Sequence, residues 1–332
     1  MTDSPVDLDP IRLEIIANGL RSIADECFVA LMRSAYSTNI KERKDHSIAI
    51  VDTKGRLVVQ AALTLPIHIA SMGGLMKCVI EKFGDDIKDG DIFVANDPHT
   101  AGGTHLPDIN YAMPIFIDGE IVAFICNIAH HADIGGMVPG SMAGGMSEIY
   151  QEGLRIPVVR LFKQGVLQQD IMDILMLNVR VPEERQGDHN AQIASCRLGE
   201  RRFKEVVNIH GLPSVLTAFD EIISRTYRRM KNSILQIPDG VYEFKDYMDS
   251  DGLESFDIPI CLKLTVEGDA IHLDFSGTSH QVKGNINTTL NAVEASVNYA
   301  LIGALDSEMP SNQGVLDAVK ITCEPGTILN CI

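Results

Sequence analysis

Histidine and aspartate crowd into one short part of this 332-residue chain. Residues 96–108 read NDPHTAGGTHLPD and hold Asp97, His99, His105 and Asp108, with almost no apolar filler. Some twenty residues further on comes AHHADIGG, with His130, His131 and Asp133. Four of the ten histidines thus fall between Asp97 and Asp133, and three aspartates stand beside them, not counting the turn residue Asp118. Neutral imidazole and carboxylate are the ligands that hold zinc, manganese or iron in hydrolytic sites. Any one of these residues alone is better explained as a turn cap or a satisfied buried polar group. The cluster as a whole reads as a metal or acid/base site.

The elements around it decide whether these groups can meet. Residues 96–108 cannot form a regular element and need Gly102-Gly103 for unusual dihedrals. Residues 113–117 and 120–127 are apolar β-type runs flanking Asp118-Gly119, a strong hairpin signal. Such a hairpin returns His130 to the neighbourhood of His105 and Asp108. A His-x-x-Asp pair before it and a histidine about 25 residues later would supply three ligands to one ion.

The rest of the chain supplies the frame. Asp9 as N-cap and Pro10 at the first helical position open a helix to Tyr36, with Leu13, Ile16, Leu20, Ile23, Cys27, Ala30 and Leu31 at helical spacing. Runs 47–51 and 56–60, joined by Asp-Thr-Lys-Gly, predict a second hairpin, and residues 68–83 a helix. Residues 169–234 are helical, broken at Val181-Pro182 and at Gly211-Leu212-Pro213. Alternation returns at 241–244, 258–266 and 270–275, then a helix over about 290–305 and a β-like piece at 318–322. Helices and hairpins come in blocks without regular βαβ alternation, so the expected class is α+β, with helices packed on mixed or antiparallel sheets built from hairpins. The expected division is a metal-site catalytic part over 1–168, a helical segment over 169–235, and a β-rich part over 236–332 that ends early.

Composition narrows the partners. Hydrophobic residues make up 45% and charged residues 22%, as in ordinary globular chains. No apolar run reaches the length of a membrane span, and the start MTDSPVDLDP is too acidic and polar for a secretory signal, so a cytoplasmic location is expected. A net charge of −17 disfavours nucleic acid and anionic membrane. The basic group Arg225, Arg228, Arg229 and Lys231 reads as a solvated helix face. Seven scattered cysteines with no CxxC pair argue against a disulfide framework and a thiolate zinc site. There is no GxGxxG fingerprint, no GxxxxGK[ST] loop and no GxSxG elbow, so no nucleotide motif is visible. KERKDHS, residues 41–47, reads by composition as a solvated loop.

The long blocks NDPHTAGGTHLPD, AHHADIGGMVPGSM and EIYQEGLRIP resemble the signatures of the hydantoinase B/oxoprolinase family. IKERKDHSIAIVD, PIHIASM, DPIRLEIIANGL, DFSGTS, GNIN and PSNQG fit the same pattern, in order along nearly the whole chain. The resemblance implies a B-type subunit holding a divalent metal, zinc first and manganese second. Its ligands by motif would be Asp45, His105, Asp108 and His130, which adds Asp45 to the residues that composition singles out. His131 and Asp133 would be catalytic, as acid/base groups or as residues orienting a ligand. A separate A-type subunit would use ATP to phosphorylate the substrate oxygen.

The activity so implied is that of an ATP-dependent cyclic-amide hydrolase of hydantoinase, oxoprolinase or lactamase type, in which a bound water of lowered pKa opens the activated ring. A subunit of an ATP-dependent ketone carboxylase of acetone or acetophenone type is the second reading. A non-catalytic scaffold is the third, and intact His/Asp blocks argue against it. Family members extend beyond the point where this chain stops, at PGTILNCI, so a second polypeptide supplying that part is expected.

Overall fold

Asp9 accepts a hydrogen bond from the backbone of Ile11 and opens helix α1 (Pro10–Ser34), whose apolar stripe from Leu13 to Leu31 is buried. The computed structural model describes residues 8–332; the acidic start that argues against a secretory signal lies largely outside the described residues. After α1 come α2 (Thr38–Lys41), β1 (His46–Val51), β2 (Leu57–Gln60), α3 (His68–Phe83), β3 (Ile92–Ala95), β4 (Asp108–Ile117) and β5 (Glu120–His130). Then follow β6 (Val159–Lys163), β7 (Val166–Leu167), α4 (Gln169–Leu177), α5 (Pro182–His210) and α6 (Leu212–Ile234). The chain continues with β8 (Gly240–Ser250), β9 (Phe256–Glu267), β10 (Ala270–Asp274), α7 (Leu290–Leu305), α8 (Gln313–Asp317) and β11 (Val319–Thr322). None of the described helices is long and apolar enough to cross a membrane.

β1 to β7 form an antiparallel seven-stranded sheet in the order β2-β1-β5-β4-β3-β6-β7. Its central strands are covered on both faces, which is why β1, β4 and β5 are apolar almost throughout. Alternate residues separate into two cores, as the two-residue period of a strand requires. Ile48, Ile50, Ile109, Tyr111, Ile125 and Ala129 face α1 and α5. Ala49, Val51, Ala112, Phe124, Cys126 and Ile128 pack with Met72, Leu75, Met76 and Val79 of α3. The α+β expectation holds.

The second sheet has the order β11-β10-β9-β8, antiparallel except for the parallel pair β10–β11. A third core joins it to the end of α6, to α7 and to α8 through Met230, Ile234, Val266, Ile271, Val293 and Val315. The long helices over 169–234 are thus shared: α5 lies on the first sheet and the end of α6 meets the second. β8 is an edge strand exposed along nearly its whole length.

Candidate metal centre

Three neighbouring strands bring three of the donors into one row. β4 and β5 pair so that Asp108 stands opposite His130. On the other flank of β5, His46 pairs with Ala129, which sets Asp45 beside His130; the His130 N–H donates to the Asp45 carbonyl at 3.0 Å. Strand alternation aims these side chains at the α3 face. Ser47 bonds His68 of α3, and Asn110 accepts from Ser71 of α3, two residues from Asp45 and Asp108 respectively. His105 arrives from the loop before β4, with Nε2 3.2 Å from Asp108 Oδ2. The His105 and His130 rings are 5.1 Å apart. Candidate ligand atoms of His105, Asp108 and His130 lie within 4.8 Å of one another, and so do those of Asp45, His68 and Asp108.

His68, at the start of α3, is a site residue that the spacing argument misses. Its Nε2 stands 3.6 Å from Asp45 Oδ1 and 3.7 Å from Asp108 Oδ2, and its Nδ1 is 2.7 Å from Ser47 Oγ. The available signal was PIHIASM, one of the motifs carrying the family resemblance.

The electrostatics follow from burial. Asp108 is 2% exposed, yet the imidazoles of His105, His68 and His130 overcome desolvation and hold its carboxyl well below the usual range. Burial lowers His68 and His130, with Asp108 and Asp45 opposing. At His105 burial again disfavours the charge, but Asp108, Asp45 and Glu152 outweigh it and raise its pKa. Asp108 Oδ1 is buried with no hydrogen-bond partner. An orphaned carboxylate oxygen among imidazoles is a costly arrangement for a purely structural cluster and fits a cation in the middle of it. His105 and Asp45 keep side-chain exposures of 37% and 28%, so one side of the cluster stays open. His105 lines a cavity of about 610 Å³, with Thr104, Ser147, Glu152, Lys283 and Asn285 in its wall.

The other expected residues lie elsewhere. His131 follows His130 and faces α5: Nε2 is 2.8 Å from Gln192 Oε1 and its ring lies 4.6 Å from that of His189. It is fully buried, which lowers its pKa to about 4. Asp133 accepts from the backbone N–H groups of Gly135, Gly140 and Arg180 and from the Arg180 guanidinium, closing a loop. The structure does not bring His131 or Asp133 to the cluster. Asp97 likewise shapes the loop before β4, accepting from His99, Thr100 and Arg155. His99 reaches the cavity wall.

Residues 9–332 match the family described as hydantoinase B/oxoprolinase. The 5-oxoprolinase of Dictyostelium discoideum is 34% identical over 98% of this chain, which spans 26% of that protein. Caprolactamase subunit beta of Pseudomonas jessenii is 31% identical over 97% of the chain, which spans 55% of it. The crystal structure of the ATP-dependent caprolactamase from that organism superposes with a TM-score of 0.92 at 30% identity, over 98% of this chain and 56% of the other. Acetone carboxylase in its nucleotide-free form superposes with a TM-score of 0.90 over 97% of this chain and 44% of the other; at 21% identity that likeness shows a common fold. The chain spans between a quarter and somewhat over half of the length of these relatives.

Proposed function

The chain belongs to the hydantoinase B/oxoprolinase family, and we propose that it is the metal-holding, ring-opening part of an ATP-dependent cyclic-amide hydrolase. The observation that carries this reading is the meeting of His105, Asp108 and His130 donor atoms within 4.8 Å of one another, with Asp45 beside His130 on the next strand and a buried oxygen of Asp108 left unpaired. Mixed imidazole and carboxylate donors suit zinc first and manganese second. Asp45, His105, Asp108 and His130 would hold the cation, which would supply Lewis acidity and lower the pKa of a water bound there.

The chain's own groups do the rest. Asp108 and His130 are buried and rigid at strand ends, so they fix position. His105 lines the cavity from which a substrate enters, and Asp45 stays partly exposed. Glu152, raised by burial, lies in the same wall and is suited to hold a proton near the reacting amide. In this reading the amide oxygen is phosphorylated by an A-type ATPase partner before the ring reaches this site. The names of the caprolactamase and oxoprolinase relatives support a hydrolase; the acetone carboxylase likeness extends to the fold.

The test measures ADP release and ring-opened product in one tube with the partner ATPase present. His130→Ala should abolish product while most of the substrate-dependent ATP cleavage continues, because phosphorylation precedes the step at this centre. A variant that keeps normal product yield would overturn the assignment.

A further inference from the structure

Helix α7 begins in the wall of the cavity that His105 lines: its N-cap, Thr289, and the preceding Thr288 are both lining residues. We propose that this helix end, together with Thr289 and Lys283, is an oxyanion subsite that receives the phosphoryl group of the activated substrate. This rests on the function proposed above and deepens it.

Thr289 is the residue that asks for a ligand. A threonine at an N-cap ordinarily accepts a hydrogen bond from an amide of the first turn. Thr289 makes no such bond; the residue is 7% exposed, and its Oγ1 is buried with no partner among the described residues. A buried hydroxyl left unpaired is costly, and this one stands in a cavity wall, where a ligand oxygen can take its proton. The N–H groups of Leu290 and Asn291, first in the helix, also find no acceptor among the described residues. α7 is 16 residues long and has no acidic side chain in its first turn, so the positive end of its dipole is not neutralised from within. Free amides and an uncompensated dipole at a helix start suit a phosphate.

Charge and position agree. Among the described residues that line the cavity, Lys283 is the only lysine or arginine. Its Nζ lies 2.6 Å from Glu254 Oε1, but the two side chains are 67% and 61% exposed. A pair so open to water is weak enough for the ammonium to turn to a phosphoryl group. Glu148 and Glu152 line the same cavity, and their repulsion keeps the affinity for a free anion modest, as release of phosphate requires. A Cβ on Gly74 of α3 would lie 2.8 Å from Gly102 Cα and 3.1 Å from Asn291 Nδ2. The first turn of α7 and the loop that leads to His105 therefore meet at one point of α3, and the phosphoryl end and the reacting end of one small ring fall within one cavity.

The experiment titrates inorganic phosphate into the chain by calorimetry. The wild type should bind it, and Thr289→Val, which removes one hydrogen bond to a charged group, should bind about 10-fold or more weakly. Thr289→Ser keeps the hydroxyl and should bind as the wild type does. Lys283→Gln, at an exposed position, should also weaken binding and reduce its dependence on salt. No binding to the wild type, or equal binding to Thr289→Val and Lys283→Gln, overturns the subsite; product that still depends on His130 would then leave the metal reading standing. A second measurement, ADP released per ring-opened product with the partner ATPase present, separates the two sources of phosphate. Thr289→Val should raise that ratio several-fold, because an activated ring held less firmly escapes before it opens. A ratio equal to that of the wild type, with phosphate binding lost, overturns the assignment to the substrate and leaves a site for the released phosphate ion alone.

Discussion

Asp108, the first residue of β4, stands directly opposite His130, the last residue of β5, so the open end of one hairpin carries two donors on adjacent strands. The hairpin is buried along most of its length and cannot shift by one residue without turning its apolar faces over. Register therefore fixes the pair before any cation arrives. A cation that binds the folded chain adds stability by mass action, about 2.7 kcal/mol at 100 times its Kd. Thermal unfolding of the stripped protein should move upward when zinc is added, and His130→Ala should lose most of that rise. An equal rise in both would remove His130 from the ligand set.

The hairpin was legible because Asp118-Gly119 separates two apolar runs, and with it the meeting of His105, Asp108 and His130. The helix over 68–83 and the two helix breaks were also readable from spacing and proline. β3 gives no sequence signal because its four buried residues, Ile92–Ala95, carry no alternation. Asp45 came only through the family resemblance, since KERKDHS looks like a solvated loop until β1 is known to pair with β5. Nearness in sequence groups His131 and Asp133 with His130. The two-residue period sends His130 and His131 to opposite faces of the sheet, and Asp133 is taken up by Arg180.

The loop carrying His105 is seated on α3 through two glycines. A Cβ on Gly102, whose φ is +72°, would lie 2.3 Å from the backbone carbon of Gly74. Gly102→Ala should lower stability by about 2–4 kcal/mol, from overpacking together with the left-handed backbone. It should also weaken cation binding, since the loop is then pushed away from the helix that carries His68. Denaturant unfolding and metal content check both; a variant as stable as the wild type would contradict the close approach.

Asp133 satisfies backbone donors and its pKa is held below the usual carboxylate range; burial opposes this, and the N–H groups of Arg180, Gly140 and Gly135 outweigh it. Asp133→Asn sets an amide N–H against those donors. Stability should fall by about 1–3 kcal/mol, while metal content stays at the wild-type value. Loss of metal in a folded variant would place Asp133 in the centre after all.

Asp251 ties the cavity wall to the second sheet. Its carboxylate accepts from the backbones of Ser255, Leu253 and Glu254, and through its second oxygen from Gly284, which lines the cavity. These bonds, led by that of Ser255, hold its pKa at about 2. The unfolded value is about 3.9. A depressed folded pKa gives stability that is present above the unfolded value and fades as pH falls toward the folded one. The advantage of wild type over Asp251→Asn should therefore be full at pH 5 and above and shrink between about pH 4 and 2. Denaturant midpoints across that range read it directly, and a difference that does not change with pH would show that the carboxylate charge is not what Gly284 and its neighbours bind.

Asn39 holds two of the donors from behind. Its carbonyl accepts the Asp45 N–H at 2.9 Å, and its side-chain nitrogen Nδ2 lies 2.9 Å from His130 Nδ1. A histidine that gives Nε2 to a cation must keep its proton on Nδ1, which an amide N–H cannot accept. With a cation bound the Asn39 amide must turn over and offer its Oδ1 to that proton, and an acceptor there sets both tautomer and ring orientation. Loss of such a partner commonly weakens metal binding by about 10–100-fold. Asn39→Ala should do the same here, with little change in fold because the side chain is only half-buried. Asn39→Asp puts a carboxylate in the same place, a stronger acceptor for Nδ1–H, and should restore or tighten binding. Competition against a chromogenic chelator measures all three proteins. If the alanine variant binds as tightly as the wild type, Asn39 does not orient His130; if the aspartate variant binds as weakly as the alanine one, the amide acts through packing and not through the proton on Nδ1.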